Sequence, residues 1–454
     1  MNAKTMFAAG HHQLAVTALL ALLTAPASAG LPAAPLPTLD GRAPLVIGHR
    51  GLPGLYPEQT RPSYEGAADA GADALEMDLH LSKDCVLVAR HNPWLSDNTN
   101  IATVALTNAD VAARRRTVPG TPLPVKYAVA LHGGPDHYLS DLGDPNDPTS
   151  VLKSLVVDGA DHTGDWAIAD FTVSELKQWI GGTTYDARDD RPTGLNGKYP
   201  ILTMQEIVDI ARQKSAVTGR TISLYPEAKN PYWNNAQAIA NGCGSGKHPF
   251  EDAIVKLIKD NGLNTRSAPV HVQSFDPASL LYMRSIGLQT KLVQLIGGSG
   301  VNYNTGAVTY QGAASGYFSD ARPYSWTVAG DGRNFGALLT PAGLAAIKLY
   351  ADGIGVWKPA VIALAVERAG QTVDSLANAT VATPTGLVQA AHQSGLFVHV
   401  YTFRNEKQYL AGAYHGDPAK ELRLFFEAGV DGVFTDFTPT AIAARAAYLK
   451  ALEQ

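Results

Sequence analysis

The chain has 454 residues, 45% of them hydrophobic and 17% charged, a balance that fits a globular protein of one large domain with insertions, or of two domains. Its formal charge of −5 leaves no basic footprint for nucleic acid. Beyond the N-terminus no run of about eighteen apolar residues occurs, so no transmembrane segment is expected.

Residues 1–29 read as a secretory signal. Lys4 is their one charged residue, Leu14 to Ala25 is an apolar run too short to span a bilayer, and Ala27-Ser28-Ala29 is a small-x-small cleavage pattern. Cleavage after Ala29 would bring the formal charge to −6 by removing Lys4 and place the protein in the periplasm or outside the cell. Residues 30–43, rich in Pro and Ala, read as a linker, and 44–454 as the main domain.

The apolar run Pro44-Leu45-Val46-Ile47-Gly48 predicts a strand that ends on His49-Arg50-Gly51. A loop with two prolines leads to Glu58, just before a helix from Arg61 to Ala70 that Gly71 terminates. Asp73 to Leu79 predicts a second strand carrying Glu76 and Asp78, and Cys85 to Arg90 an extended run leading into His91. From Asn98 to about Pro200 the pattern loosens, and this stretch is expected to be an insertion on the face that carries the site. Within it Thr172 is a helix cap, and Tyr199 to Ala211 an amphipathic helix returning to the main fold. Strands and helices then alternate to the end, with strands near 222, 270, 291, 352, 396 and 431. Eight strands alternating with helices predict a (β/α)8 TIM barrel with a long insertion after the second strand; an open doubly wound sheet is the alternative. Cys85 falls in a strand pattern and reads as a small core residue, whereas Cys243 lies between glycines in a loop; two cysteines alone do not establish a bridge.

Side chains alternate along a strand, so Glu76 and Asp78 share one face. Their neighbours Ala74, Leu75, Met77 and Leu79 indicate burial, and buried carboxylates need a partner or a metal. His80 lies on the same face but further along, as a polar neighbour. In a barrel, functional residues gather where strands end. Glu227 and Lys229 fall at the end of the third strand, Gln273 late in the fourth, Gln294 in the fifth and Tyr401 late in the seventh. Glu76, Asp78 and Glu227 are hard oxygen ligands suited to Ca²⁺ or Mg²⁺. Arg50 and Lys229 can neutralise a phosphate, and His49 and His91 can act as base and acid. A metal, an arginine and two histidines point to phosphodiester chemistry on a small-molecule substrate.

The set HRG, PE-x-T, GAD-x-L-E-x-D, SKD and LVARH resembles the glycerophosphodiester phosphodiesterase family, and the similarity runs to Phe434-Thr435-Asp436-Phe437. Tyr225-Pro226-Glu227-Ala228-Lys229, Val293-Gln294-Leu295-Ile296 and Ala351-Asp352-Gly353-Ile354-Gly355 look most like its bacterial periplasmic branch. The resemblance implies hydrolysis of a glycerophosphodiester to glycerol 3-phosphate and an alcohol, and places Glu58 near the phosphate pocket. Gln59 stands where the family often has Asn, and Asn92 follows the second histidine where Asp is usual. Three alternatives stand beside this reading. One is a lysophospholipase D or sphingomyelinase D-like enzyme, which an apolar channel in the insertion would favour, although the residues there are mostly polar and small. Another is a glycosidase, which would not need two histidines and an arginine. The third is a non-catalytic secreted binding protein.

The signal pattern makes a direct prediction: N-terminal sequencing of protein from the periplasm or medium reads from Gly30. Soluble cytoplasmic protein that retains Met1 would remove the export assignment.

Overall fold

The computed structural model describes residues 36–116, 156–157, 160–162, 164–184, 190–310, 320–367, 370 and 376–454. The expected signal at 1–29, residues 30–35 of the linker and the centre of the 98–200 stretch lie outside the described residues.

Eight parallel strands form a closed barrel: Leu45–Gly48, Ala74–Leu81, Ser223–Ala228, His271–Ser274, Lys291–Ile296, Gly353–Trp357, Phe397–Phe403 and Gly432–Thr435. The first strand closes it, pairing with the second through Ile47–Ala74 and with the last through Leu45–Gly432 to Gly48–Thr435. A ninth strand, Leu87–Ala89, pairs antiparallel with the end of the second. The outer helices Pro231–Ala240, Pro249–Asp260, Pro277–Ser285, Pro341–Lys348 and Pro418–Glu427 each open on a proline, whose fixed φ and missing N–H suit the first turn. Val46, Leu75, Leu224, Val272, Leu292, Ile354, Val398 and Val433 face outward onto these helices in one continuous core. The lumen is filled by Ile47, Ala74, Tyr225, Val293 and Phe434. Tyr225 donates to His399 Nδ1 at 2.7 Å and stacks on His271, which makes a packed floor.

One boundary differs from expectation. The helix expected at Tyr199–Ala211 is Met204–Thr218, because Thr203 and Glu206 form a capping box and Gly219 ends the helix in the left-handed conformation. Between the sixth and seventh barrel strands, Ile362–Ala365 pairs antiparallel with Val381–Pro384 ahead of the helix Leu387–Gln393. Between the second and third barrel strands the described segments carry a core of their own: Leu95, Ile101, Val111, Trp166, Ile168, Phe171, Leu176 and Ile180. It docks on the barrel through the Trp94–Trp233 ring contact at 4.8 Å, with Arg116 over both rings.

The reading of Cys85 as a small core residue is corrected. Cys85 occupies the turn after the second strand with φ of 66°, and it is bonded to Cys243 across 158 residues of chain. The bond ties that turn to the end of the helix Pro231–Ala240. Closing so long a loop restricts the unfolded chain, so Cys243→Ser should lower the unfolding free energy by about 2–4 kcal/mol. An unchanged denaturation midpoint in reducing agent would contradict the bridge.

Candidate functional site

The C-terminal end of the first strand sets the site. Gly48 approaches Ala67 so closely that a Cβ would sit 2.9 Å from its methyl, and a Cβ on Gly51, at φ 91°, would meet Ser63 at 2.5 Å. Between them Arg50 itself takes a left-handed φ of 58°. Such a conformation costs on the order of 1–3 kcal/mol for a residue with a Cβ and persists only where its surroundings enforce it. Here it lets the Arg50 amide donate to Glu76 Oε2 at 2.7 Å while the guanidinium turns to Glu58 at 2.9 Å and Asp78 at 3.2 Å.

Glu76, Asp78 and Glu227 offer carboxylate oxygens within 4.8 Å of one another, all buried. Strand register explains this: Asp78 pairs with Glu227, and Glu227 with Gln273, at one level of the barrel. Lys229 Nζ lies 3.3 Å from Glu227 and 3.7 Å from Asp78. Gln59 donates to Asp78 at 2.9 Å and accepts from its amide, so the glutamine fills a structural role at the carboxylate. Burial pushes the Glu227 carboxyl up to about 8 against the pull of Lys229, with Asp78 adding to the rise. Burial and Asp78 likewise raise Glu76 well above the usual range. Among the described residues Glu58, Glu76, Asp78 and Glu227 face three fixed cations, Arg50, Arg90 and Lys229, so with all four carboxyls ionised the negative charges exceed the positive by one. Gln273 lies 3.4 Å from Glu76, and its Oε1 is buried with no partner among the described residues. A hard donor set with surplus negative charge and a spare amide oxygen fits a divalent cation.

His49 Nδ1 contacts Asp436 Oδ1 at 2.6 Å. Burial, then Arg50, lowers the imidazole to about 4 against the pull of Asp436, so it is neutral near pH 7. Burial alone would raise Asp436, but Arg404, His49 and Arg191 hold it well below the ordinary carboxylate range. Burial and then Arg50 and Lys229 keep His91 well below 6.5, and its Nδ1 is buried with no hydrogen-bond partner among the described residues.

His49, Arg50, Glu76, Asp78, His91, Glu227, Lys229 and Gln273 all line one cavity of about 570 Å³. Glu58 is corrected: it does not line the cavity but is buried behind Arg50, where Asn98 and Arg90 also reach it. A carboxylate there orients the guanidinium, whereas facing phosphate it would repel it. Gln294 is likewise turned away, donating to Phe275 O at 3.0 Å, and His80 is held by Asn234. Asn92 donates to Asp97. Tyr401 does reach the cavity, donating to Ile296 O at 2.8 Å. Sequence reasoning missed Asp436, although it stands at the end of the last strand, the position that marks the other site residues. It also missed the apolar part of the cavity lining, Val301, Tyr303, Trp357, Leu364 and Leu376.

The sequence model of the glycerophosphoryl diester phosphodiesterase family matches residues 49–440. A glycerophosphodiester phosphodiesterase of Arabidopsis thaliana is 30% identical over 408 residues, covering 88% of this chain and 85% of its own. One of Haemophilus influenzae is 24% identical over 412 residues, covering 88% of each chain. The higher identity of the plant protein means that these matches do not single out a bacterial branch. Among solved structures, an Oleispira antarctica phosphodiesterase in complex with the product sn-glycerol-3-phosphate is similar at 14% identity and a TM-score of 0.47, over 90% of this chain and 98% of that one.

The raised carboxyls predict how a cation binds. Glu227, at about 8, carries a proton at pH 7 that a cation must expel, so affinity for Ca²⁺ or Mg²⁺ rises with pH up to that value. Calorimetry of chelator-treated protein in buffers of different ionisation enthalpy should show proton release. Glu227→Gln should weaken binding by at least about tenfold. Equal affinity in that variant would exclude the trio as the site.

Proposed function

This chain belongs to the glycerophosphoryl diester phosphodiesterase family, and we propose that it hydrolyses glycerophosphodiesters, such as glycerophosphocholine or glycerophosphoethanolamine, to glycerol 3-phosphate and an alcohol. The observation that carries the reading is the convergence of His49, His91, Arg50, Lys229 and the carboxylate trio on one cavity. Hydrolysis requires a base to take a proton from the attacking hydroxyl and an acid to give one to the leaving alkoxide. His49 and His91 fill these two roles. Asp436 stabilises the imidazolium that His49 must carry after taking a proton or before giving one. In this reading the attacking group is the glycerol 2-hydroxyl, through a cyclic phosphate that water then opens. Arg50 and Lys229 offset the charge that builds on the phosphate oxygens. Glu76, Asp78 and Glu227 would hold Ca²⁺ or Mg²⁺, which when bound polarises a phosphate oxygen. One surplus negative charge, a divalent cation and a phosphodiester monoanion together come to neutrality, which favours a bound diester.

A second reading is favoured by the apolar wall of Val301, Tyr303, Trp357, Leu364 and Leu376. It would suit a diester with a bulkier apolar half, as a lysophospholipase D takes. That wall comes from the end of the sixth strand and from the loops after the fifth and sixth strands, and not from the insertion. We also propose export to the periplasm or exterior, supported by the Cys85–Cys243 bond, which persists where thiols are not kept reduced.

Turnover of glycerophosphocholine with and without chelator tests the reading. His49→Ala and His91→Ala should each lose roughly 10²- to 10⁴-fold in kcat while remaining folded. Their losses should not multiply, because base and acid act in one unit. A glycerol nitrophenyl phosphodiester, which keeps the attacking 2-hydroxyl and whose leaving group needs no proton, should rescue only the variant that lost the acid. Near wild-type turnover in either variant would make that histidine structural.

A further inference from the structure

We propose that Arg191, carried by the segment between the second and third barrel strands, is a positioning residue for His49 that acts through Asp436. The proposal rests on the reading that His49 moves a proton. Arg191 Nη2 donates to Asp436 Oδ2 at 2.6 Å and its Nε to Glu406 Oε1 at 2.7 Å. Its side chain is 2% exposed, and the guanidinium lies 5.5 Å from the Phe437 ring. It does not line the cavity, so it does not touch substrate.

What it controls is the plane of one carboxylate. The Asp436 backbone is already fixed: its amide donates to Phe403 O at 3.1 Å and its carbonyl accepts from Gly54 at 3.0 Å. The freedom left is rotation of the side chain. Two guanidinium groups, Arg191 at 2.6 Å and Arg404 at 2.9 Å, anchor Oδ2, which leaves Oδ1 aimed at His49 Nδ1. Arg404 is also a cavity residue and can be drawn toward a bound anion. Arg191 is the anchor that stays. Its own segment is pinned, since Thr184 donates to Pro192 O and to Asn196 Oδ1, at 2.8 Å each. Asp436 and Glu406 are balanced by Arg191 and Arg404; without Arg191, two buried carboxylates share one cation and Asp436 loses its fixed orientation.

The test compares Arg191→Ala, Arg191→Lys, Asp436→Asn and the Arg191→Ala/Asp436→Asn double variant with wild type on glycerophosphocholine. Loss of orientation should lower kcat by about 10- to 100-fold and leave KM nearly unchanged. Lysine should not restore it, because a point charge cannot bridge two carboxylates as a guanidinium does. Millimolar guanidinium should restore part of the Arg191→Ala loss. In the Asp436→Asn background Arg191→Ala should add less than about threefold, the mark of one coupled unit. A kcat near wild type, or a loss that multiplies in full, would overturn the proposal. Should Arg191→Ala fail to fold, unchanged kcat in Arg191→Lys would overturn it equally. A substrate-free measurement separates this from the function itself: the downfield Nδ1 proton resonance of His49, identified by its absence in His49→Ala, should move in the Arg191 variants. An unmoved resonance refutes the positioning role, whereas failure of the functional reading would show as wild-type protein with no turnover.

Discussion

Four carboxylates buried within reach of three cations form the constraint around which the rest of the site is built. An uncompensated charge in a barrel lumen is costly, and such a group commonly takes up a proton instead of staying ionised. Burial is the chief cause that pushes the Glu227 and Glu76 carboxyls upward, toward the protonated form. The packed floor of Tyr225, His271 and His399 keeps the imbalance at the mouth of the barrel, because water cannot relieve it from below. Every fixed cation is in turn oriented by backbone or by a second acid. Arg50 is held by its left-handed φ and by Glu58, and Lys229 by Glu227 and the Phe275 face.

The segment between the second and third strands belongs to this arrangement. Asn98 donates to Glu58, which holds Arg50, and Arg191 donates to Asp436, which holds His49. Neither Glu58 nor Arg191 lines the cavity; Glu58 bonds Arg50, which does, and Arg191 is linked to His49, which also does, through Asp436. The barrel presents the reacting side chains, and the segment packed across it limits how those side chains can turn.

The barrel was legible in the sequence because its strands are short apolar runs bounded by glycine and proline, and its helices start on prolines that read plainly. The gathering of the candidate site in one cavity was legible because Glu76 and Asp78, and Glu227 and Lys229, sit two apart at strand ends. Three features were not. Glu58 carries a charge that suits either a phosphate pocket or an arginine partner, and only distance decides between them. The Cys85–Cys243 bond joins positions 158 residues apart, a proximity that exists only after the fold forms. Asp436 lies within a motif that was noticed, but a single carboxylate at a strand end has no signature until the imidazole opposite it is known.

The closure of the barrel has a consequence for how the protein is made. His49 follows the first strand and Asp436 the last, and the two are 387 residues apart. A chain emerging from the ribosome has the histidine, the arginine and the carboxylate trio long before it has their final partner. The imidazole acquires its carboxylate only when the Gly432–Thr435 strand inserts beside Leu45–Gly48. A nascent or C-terminally truncated chain therefore lacks the His49–Asp436 pair, which forms only with the closing strand.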